Sequence, residues 1–180
     1  NKAEYIPQNT IKPVQVTDTI DSNALKRCAE LINKSEKPYI FAGGGVIAAD
    51  ASEELKSFAY KIDAPVCDTL MGKGAFDGTD SRYTGMLGMH GTKTSNFGVS
   101  KCDLLIAVGA RFSDRVYGNA NNFAPNAKII HIDIDRKEIG KNVRVDESVI
   151  GDAKAILGKL TELVNEASHK EWCDEIKEMS

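Results

Sequence analysis

Apolar positions return at intervals of three and four early in the chain, where Leu25, Cys28, Leu31 and Ile32 share one helical face. A helix is therefore expected from about Ser22 as N-cap. The pattern then becomes continuous in "PYIFAGGG" (38–45), a short apolar strand running into three glycines. Helical spacing resumes with Leu55, Phe58, Ala59 and Ile62, and Asp50 followed three residues later by Glu53 suggests a capping box at the start of that helix. "APVCDT" (64–69) reads as a second strand, and residues 70–91 as a long loop. A helix is expected over Thr92–Ser100, and buried strands over "CDLLIAVG" (102–109) and "AKIIHIDID" (127–135). A short edge strand follows near Ser148–Gly151. A last helix, Ala153–Glu166, is expected to bury Ile156, Leu160, Leu163 and Val164.

Strand and helix thus alternate, and the strands are near-continuous apolar runs, as expected when both faces of a parallel sheet are covered. The fold class this predicts is α/β: an open, doubly wound, mostly parallel sheet with helices on both faces. Residues 1–20 lack a helical period and carry Pro7 and Pro13, so they read as an inter-domain linker before a domain over 21–166. The charged tail, 167–180, reads as the start of a second linker, leading to an absent C-terminal domain.

Ligands of such sheets lie beyond the carboxyl ends of the strands. Those ends carry Gly43, Gly44 and Gly45; Thr69 and Leu70; Gly109 and "ARFSDR" (110–115); Asp133; and Gly151 with Asp152. This chemistry suits a nucleotide. Glycine admits close backbone approach to phosphates, Arg111 or Arg115 offers a planar fork of donors, and Asp133 can accept from ribose hydroxyls. Leu70, Leu87 and Met89 are candidates to line a flat ring, with His90 as a polar handle. Each feature also has a plain alternative. The glycines fit a flexible turn, the spacing is not GxGxxG, and Arg111 and Arg115 beside Asp114 fit a surface ion-pair cluster.

Composition changes this picture little. The 180 residues carry a net charge of −3 with acidic and basic side chains interspersed, so no basic stripe for nucleic acid exists. No apolar run approaches the ~20 residues of a membrane span, and the polar opening "NKAEYIPQNT" is no signal peptide. The first residue is not Met, which suggests a piece of a longer protein. Cys28, Cys67, Cys102 and Cys173 form no CxxC pair and no metal-binding spacing is present, so no metal site is expected; Cys28, Cys67 and Cys102 read as small buried hydrophobes, in a cytoplasmic protein. No catalytic triad, carboxylate pair or dithiol can be assembled. Lys73 and Lys93 are available, but nothing marks either as a nucleophile, so no catalytic residue is assigned in this fragment.

Four stretches carry a resemblance: "TLMGKGAF" (69–76), "GMLGMHGT" (85–92), "CDLLIAVGARFSDRV" (102–116) and "HIDIDRKEIGKN" (131–142). Together, in this order, they resemble the central domain of the large catalytic subunit of acetolactate synthase, also called acetohydroxyacid synthase, from about Lys37 to Leu157. The resemblance implies a thiamine-diphosphate enzyme of three domains that decarboxylates pyruvate and passes the two-carbon unit to a second 2-oxo acid, pyruvate or 2-oxobutyrate. It implies thiamine diphosphate with Mg2+ on the flanking domains, FAD on this one with no net redox part, a homodimer or tetramer, and in many cases a regulatory small subunit.

Carried over by motif, the FAD contacts are Gly44 with Gly43 and Gly45, Thr69, Leu70, Leu87, Gly88, Met89, His90, Gly109, Ala110, Arg111, Phe112, Ser113, Asp133, Ile134, Asp152 and Ala153. Met89, Asp114 and Arg115 match positions near the substrate channel. Position 113 departs from the family's common "GARFDDR": Ser113 keeps an acceptor oxygen and loses a charge. The thiamine-diphosphate motif GDG…NN does not occur, so the isolated chain is expected to lack synthase activity and to retain FAD weakly. Other readings to be separated are a different flavin-bearing carboligase such as glyoxylate carboligase, a non-catalytic electron-transfer flavin module, and an NAD-consuming deacylase.

Overall fold

A computed structural model describes residues 20–118 and 123–179. Six strands form one sheet: β1 (Pro38–Ala42), β2 (Val66–Asp68), β3 (Tyr83–Met86), β4 (Leu104–Val108), β5 (Lys128–Asp133) and β6 (Glu147–Ile150). Their order is β3-β2-β1-β4-β5-β6, and every neighbouring pair is parallel. The order reverses between β1 and β4, which makes their carboxyl ends the switch point of a doubly wound sheet.

Alternation along β1 divides the core into two layers. Ile40 and Ala42 face one side, together with buried residues of α1 (Ser22–Lys34), α3 (Ser52–Lys61) and α6 (Ala153–Leu163). Tyr39 and Phe41 face the other, with Val99 of α4 (Lys93–Lys101) and Trp172 and Ile176 of α7 (Lys170–Glu178). The described residues also hold two short helices, α2 (Gly44–Ala48) directly after β1 and α5 (Asp114–Tyr117) after β4, along with a 3-10 turn at Leu70–Gly72.

Several expectations need correction. Asp21, not Ser22, caps α1, its carboxylate accepting from the Asn23 and Ala24 amides at 2.8 and 3.2 Å. The anticipated Asp50–Glu53 capping box does not form. Asp50 sits at φ 51°, α3 begins at Ser52, and Ala51 is its cap. Thr92 does cap α4, accepting from the Ser95 amide at 3.0 Å. The last helix of the expected domain stops at Leu163, whose side chain is exposed and not buried.

The region 70–91, expected as loop, contains β3. The three glycines, for which a flexible turn was the plain alternative to ligand approach, cap and open α2. Residues 167–180, expected as the start of a linker, include α7, which packs back onto the sheet. There Trp172 is buried and its indole donates to the Pro38 carbonyl at 3.0 Å, while Lys37 pairs with Glu175 at 2.8 Å. The linker expected over 1–20 lies almost wholly outside the described residues. Cys28, Cys67 and Cys102 are buried free thiols, and burial pushes those of Cys28 and Cys102 up to about 12. Among the described residues no helix is long and apolar enough to cross a membrane.

Candidate functional site

Because all six strands run the same way, Ala42, Asp68, Met86, Val108, Asp133 and Ile150 end on one edge of the sheet. At the switch point the segments after β1 and β4 lie against each other. The Gly43 amide donates to the Val108 carbonyl at 2.9 Å and the Gly45 amide to the Gly109 carbonyl at 3.0 Å. A Cβ at Gly43 would lie 2.1 Å from the Gly109 oxygen, and Gly109 itself sits at φ +54°. The glycines that sequence reasoning assigned to ligand approach are thus also required for chain to meet chain.

Beside this junction a cleft of about 120 Å³ opens between the ends of β4, β5 and β6. It is lined by Gly45, Ala48, Ala49, Gly109, Ile132, Asp133, Ile134, Gly151, Asp152 and Ala153. Six of these were expected from the sequence: Gly45, Gly109, Asp133, Ile134, Asp152 and Ala153. Asp133 is mostly buried; its Oδ1 accepts from the Asp135 amide at 2.8 Å. Asp152 also serves as the cap of α6, accepting from the Ala155 amide at 3.0 Å. Arg111 is exposed and stands 3.8 Å from Glu138, not from Asp114. Ser113, Asp114 and Arg115 are exposed at the start of α5.

On the other side of the switch point, large apolar side chains face outward. Leu70 is 70% exposed, Met71 76% and Met89 73%. A Cβ at Gly44 would meet the Met71 oxygen at 3.1 Å, so Gly44 and this shelf adjoin. The Met89 amide donates to the Arg115 carbonyl at 2.9 Å, which brings the 87–91 loop against α5. His90 is exposed beside it. Gly44, Met89, Arg111 and Asp133 accordingly fall on one rim.

Other expected contacts lie beneath that rim. Leu87 and Phe112 are core side chains, and Phe112 packs on Phe41 with ring centroids 5.8 Å apart. Neither lines a surface that a ring could touch. Ala110 is buried, and Gly88, at φ +109°, sits where a Cβ would be 2.5 Å from the Arg115 oxygen. Thr69 uses its hydroxyl to accept from the Gly72 amide at 2.9 Å, closing the 3-10 turn. Among the described residues no three His, Cys, Asp or Glu side chains gather as a metal site.

Sequence reasoning missed three residues here. His131 is fully buried, with Nε2 3.0 Å from the Ala110 carbonyl and 3.8 Å from Asp133. Asp68 and Tyr83 meet at 2.7 Å below the shelf. For His131 and Asp68 the signal was available, since each is a polar group in a largely apolar strand; Tyr83 stands in a segment whose residues give no such pattern.

Residues 25–160 match the family model described as thiamine pyrophosphate enzyme, central domain. The chain belongs to the thiamine pyrophosphate enzyme family, as its central domain. Among relatives of this family member is the "Probable acetolactate synthase large subunit" of Methanocaldococcus jannaschii, 50% identical over 97% of this chain and 29% of the relative. The acetolactate synthase large subunit of Haemophilus influenzae is 40% identical over 95% of this chain and 29% of its own length. A solved structure from Mycobacterium smegmatis, described as a thiamin diphosphate-dependent enzyme, superposes with a TM-score of 0.70 at 28% identity, covering 83% of this chain and 29% of that one. The central domain described here therefore spans about three-tenths of the length of the proteins it matches.

Proposed function

We propose that this chain is the central domain of an acetolactate synthase catalytic subunit and that its switch-point rim holds FAD. The full-length protein would then decarboxylate pyruvate and transfer the two-carbon unit to a second 2-oxo acid, pyruvate or 2-oxobutyrate. The observation that carries the FAD assignment is the pairing of a glycine-walled cleft with an exposed apolar shelf on one rim. A dinucleotide needs both: a narrow place for its adenosine half and a flat apolar support for its isoalloxazine.

The residues fit the group. Asp133, lining the cleft, accepts hydrogen bonds from ribose hydroxyls. Gly45 and Gly109 let the two segments that wall the cleft meet, since a Cβ at Gly45 would lie 2.6 Å from the Gly109 Cα. Arg111 and Arg115 bring positive charge to the pyrophosphate. Leu70 and Met89 give the ring an apolar bed, with His90 beside it. Bound FAD supplies structure to the active site, without net electron transfer in this reaction. Met89, Asp114 and Arg115 border the substrate channel, and thiamine diphosphate with Mg2+ is held by other parts of the full-length enzyme. A cytoplasmic homodimer or tetramer, with or without a regulatory small subunit, completes the proposal.

The test is acetolactate formation by the full-length protein from pyruvate, with thiamine diphosphate, Mg2+ and FAD supplied. Activity that disappears when FAD is stripped and returns when it is added back is expected. A flavin that is tightly bound but turns over electrons with a redox partner, with no acetolactate formed, would overturn the proposal in favour of an electron-transfer module.

A further inference from the structure

The shelf of Leu70, Met71 and Met89 is built from segments that follow β2 and β3, which leave the sheet side by side at the paired residues Asp68 and Met86. Asp68 ends β2 and is 1% exposed, although a carboxylate is costly to desolvate. It has few partners for such a position. The Tyr83 hydroxyl donates to Oδ2 at 2.7 Å. Among the described residues Oδ1 makes no hydrogen bond; Lys73 Nζ stands 3.7 Å away, offering charge without a bond. Lys73 is half-exposed and also reaches the Tyr83 hydroxyl at 3.3 Å. An ion pair with one half-exposed partner contributes little net stability, so its use lies in fixing geometry.

What needs fixing is β3. It is an edge strand of four residues, paired on one side with β2 alone. Its register shifts between Val66 and Cys67, and Gly85 at φ +95° interrupts it. Register is weakly specified in strands that are short and glycine-bearing, and a slip of one residue exchanges the two faces. Asp68 holds both ends of this strand. Its carboxylate takes the hydroxyl of Tyr83, the first residue of β3, and its carbonyl accepts from the amide of Leu87, just past the last, at 2.9 Å. Met89 and His90 follow directly.

We propose that Asp68 is a positioning residue: acting through Tyr83 and Lys73, it pegs the register of β3 and so presents Met89 and His90 to the flavin. This rests on the FAD reading above. Asp68 touches neither flavin nor substrate.

Tyr83→Phe, Asp68→Asn and Lys73→Met in the full-length protein test it, read by FAD dissociation constant and by backbone hydrogen exchange over residues 84–90. Tyr83→Phe removes the one direct donor and keeps the ring, so it remains informative if Asp68→Asn fails to fold. Expected are a rise in the FAD dissociation constant of about fivefold for Tyr83→Phe, the size of one net hydrogen bond, and faster exchange confined to 84–90. Lys73→Met moves both in the same direction by less. Unchanged affinity and exchange in Tyr83→Phe overturns the proposal. Wild-type protein that binds no FAD overturns the flavin reading instead, and exchange over 84–90 in Tyr83→Phe then decides the register peg by itself.

Discussion

His131 shows how one side chain under the rim shapes what lies on it. Its imidazole has no exposed surface and packs edge-on against Phe112, with centroids 5.1 Å apart. Nε2 faces the Ala110 carbonyl and Nδ1 has no partner among the described residues, so the neutral ring carrying its proton on Nε2 satisfies the site. Burial pulls its pKa below the usual histidine value, opposed by nearby Asp133 and the Ala110 carbonyl. The unfolded chain takes up this proton near pH ~6.5, before the folded one does. Stability from this group is thus fully present above that pH. It is lost as pH falls toward the folded value, because the unfolded state binds more protons across the window. Denaturation midpoints measured between pH 7.5 and 5 should fall more steeply for the wild type than for His131→Gln, which keeps a donor for Ala110 and cannot titrate. Parallel curves would show that the ring is not buried neutral. Gly43 answers to space instead of charge. A methyl group there overlaps the Gly109 oxygen, so Gly43→Ala should cost about 3 kcal/mol or more, measured by urea unfolding.

Among the elements, α7 carries the clearest consequence. Trp172 and Ile176 fill the second core layer, and the Thr94 hydroxyl donates to the Met179 carbonyl at 2.8 Å. Trp172→Ala should therefore cost about 3–5 kcal/mol and release residues 170–178 to fast hydrogen exchange; a loss under about 1 kcal/mol would mean that α7 is a passenger on the fold. The sequence held the sign of this helix. Trp172 and Ile176 stand four apart, but four acidic and two basic residues within Lys170–Glu178 hid the stripe. Long elements were legible for the opposite reason: β1 and β4 are unbroken apolar runs, β5 is apolar at Ile129, Ile130 and Ile132, and α1, α3 and α6 repeat their period over ten residues or more. Short elements give no period to read. α2 is five residues opening on two glycines, and β3 mixes Tyr, Thr, Gly and Met with no fully buried face. The rim followed the same rule. Its residues could be placed on one edge from strand order alone, whereas the burial of Leu87 and Phe112 depends on how loops fold back, which spacing along the chain does not encode.

At the scale of the whole molecule, the rim is complete as a platform and incomplete as a container. Ligand sites that enclose drug-sized molecules occupy roughly 300–1,000 Å³, and the cleft here offers about 120 Å³. That accommodates the adenosine half of a dinucleotide at most. On the FAD reading proposed above, the remainder lies across Leu70, Met71 and Met89, each more than two-thirds exposed. Apolar side chains grouped at a switch point are costly to leave in water, and a flat ring against them gains burial on one face only. Its second face needs a wall that the described residues do not provide. The isolated 180-residue chain should therefore lose FAD on a desalting column and form no acetolactate, whereas the full-length protein keeps flavin through the same column. Hydrogen exchange at residues 70–73 and 88–90 should be slow in the full-length protein and fast in the isolated chain, because the missing wall also covers the shelf. An isolated chain that elutes yellow, with flavin near one per chain, would place the whole binding free energy on this platform and leave the neighbouring domains no part in holding the ring.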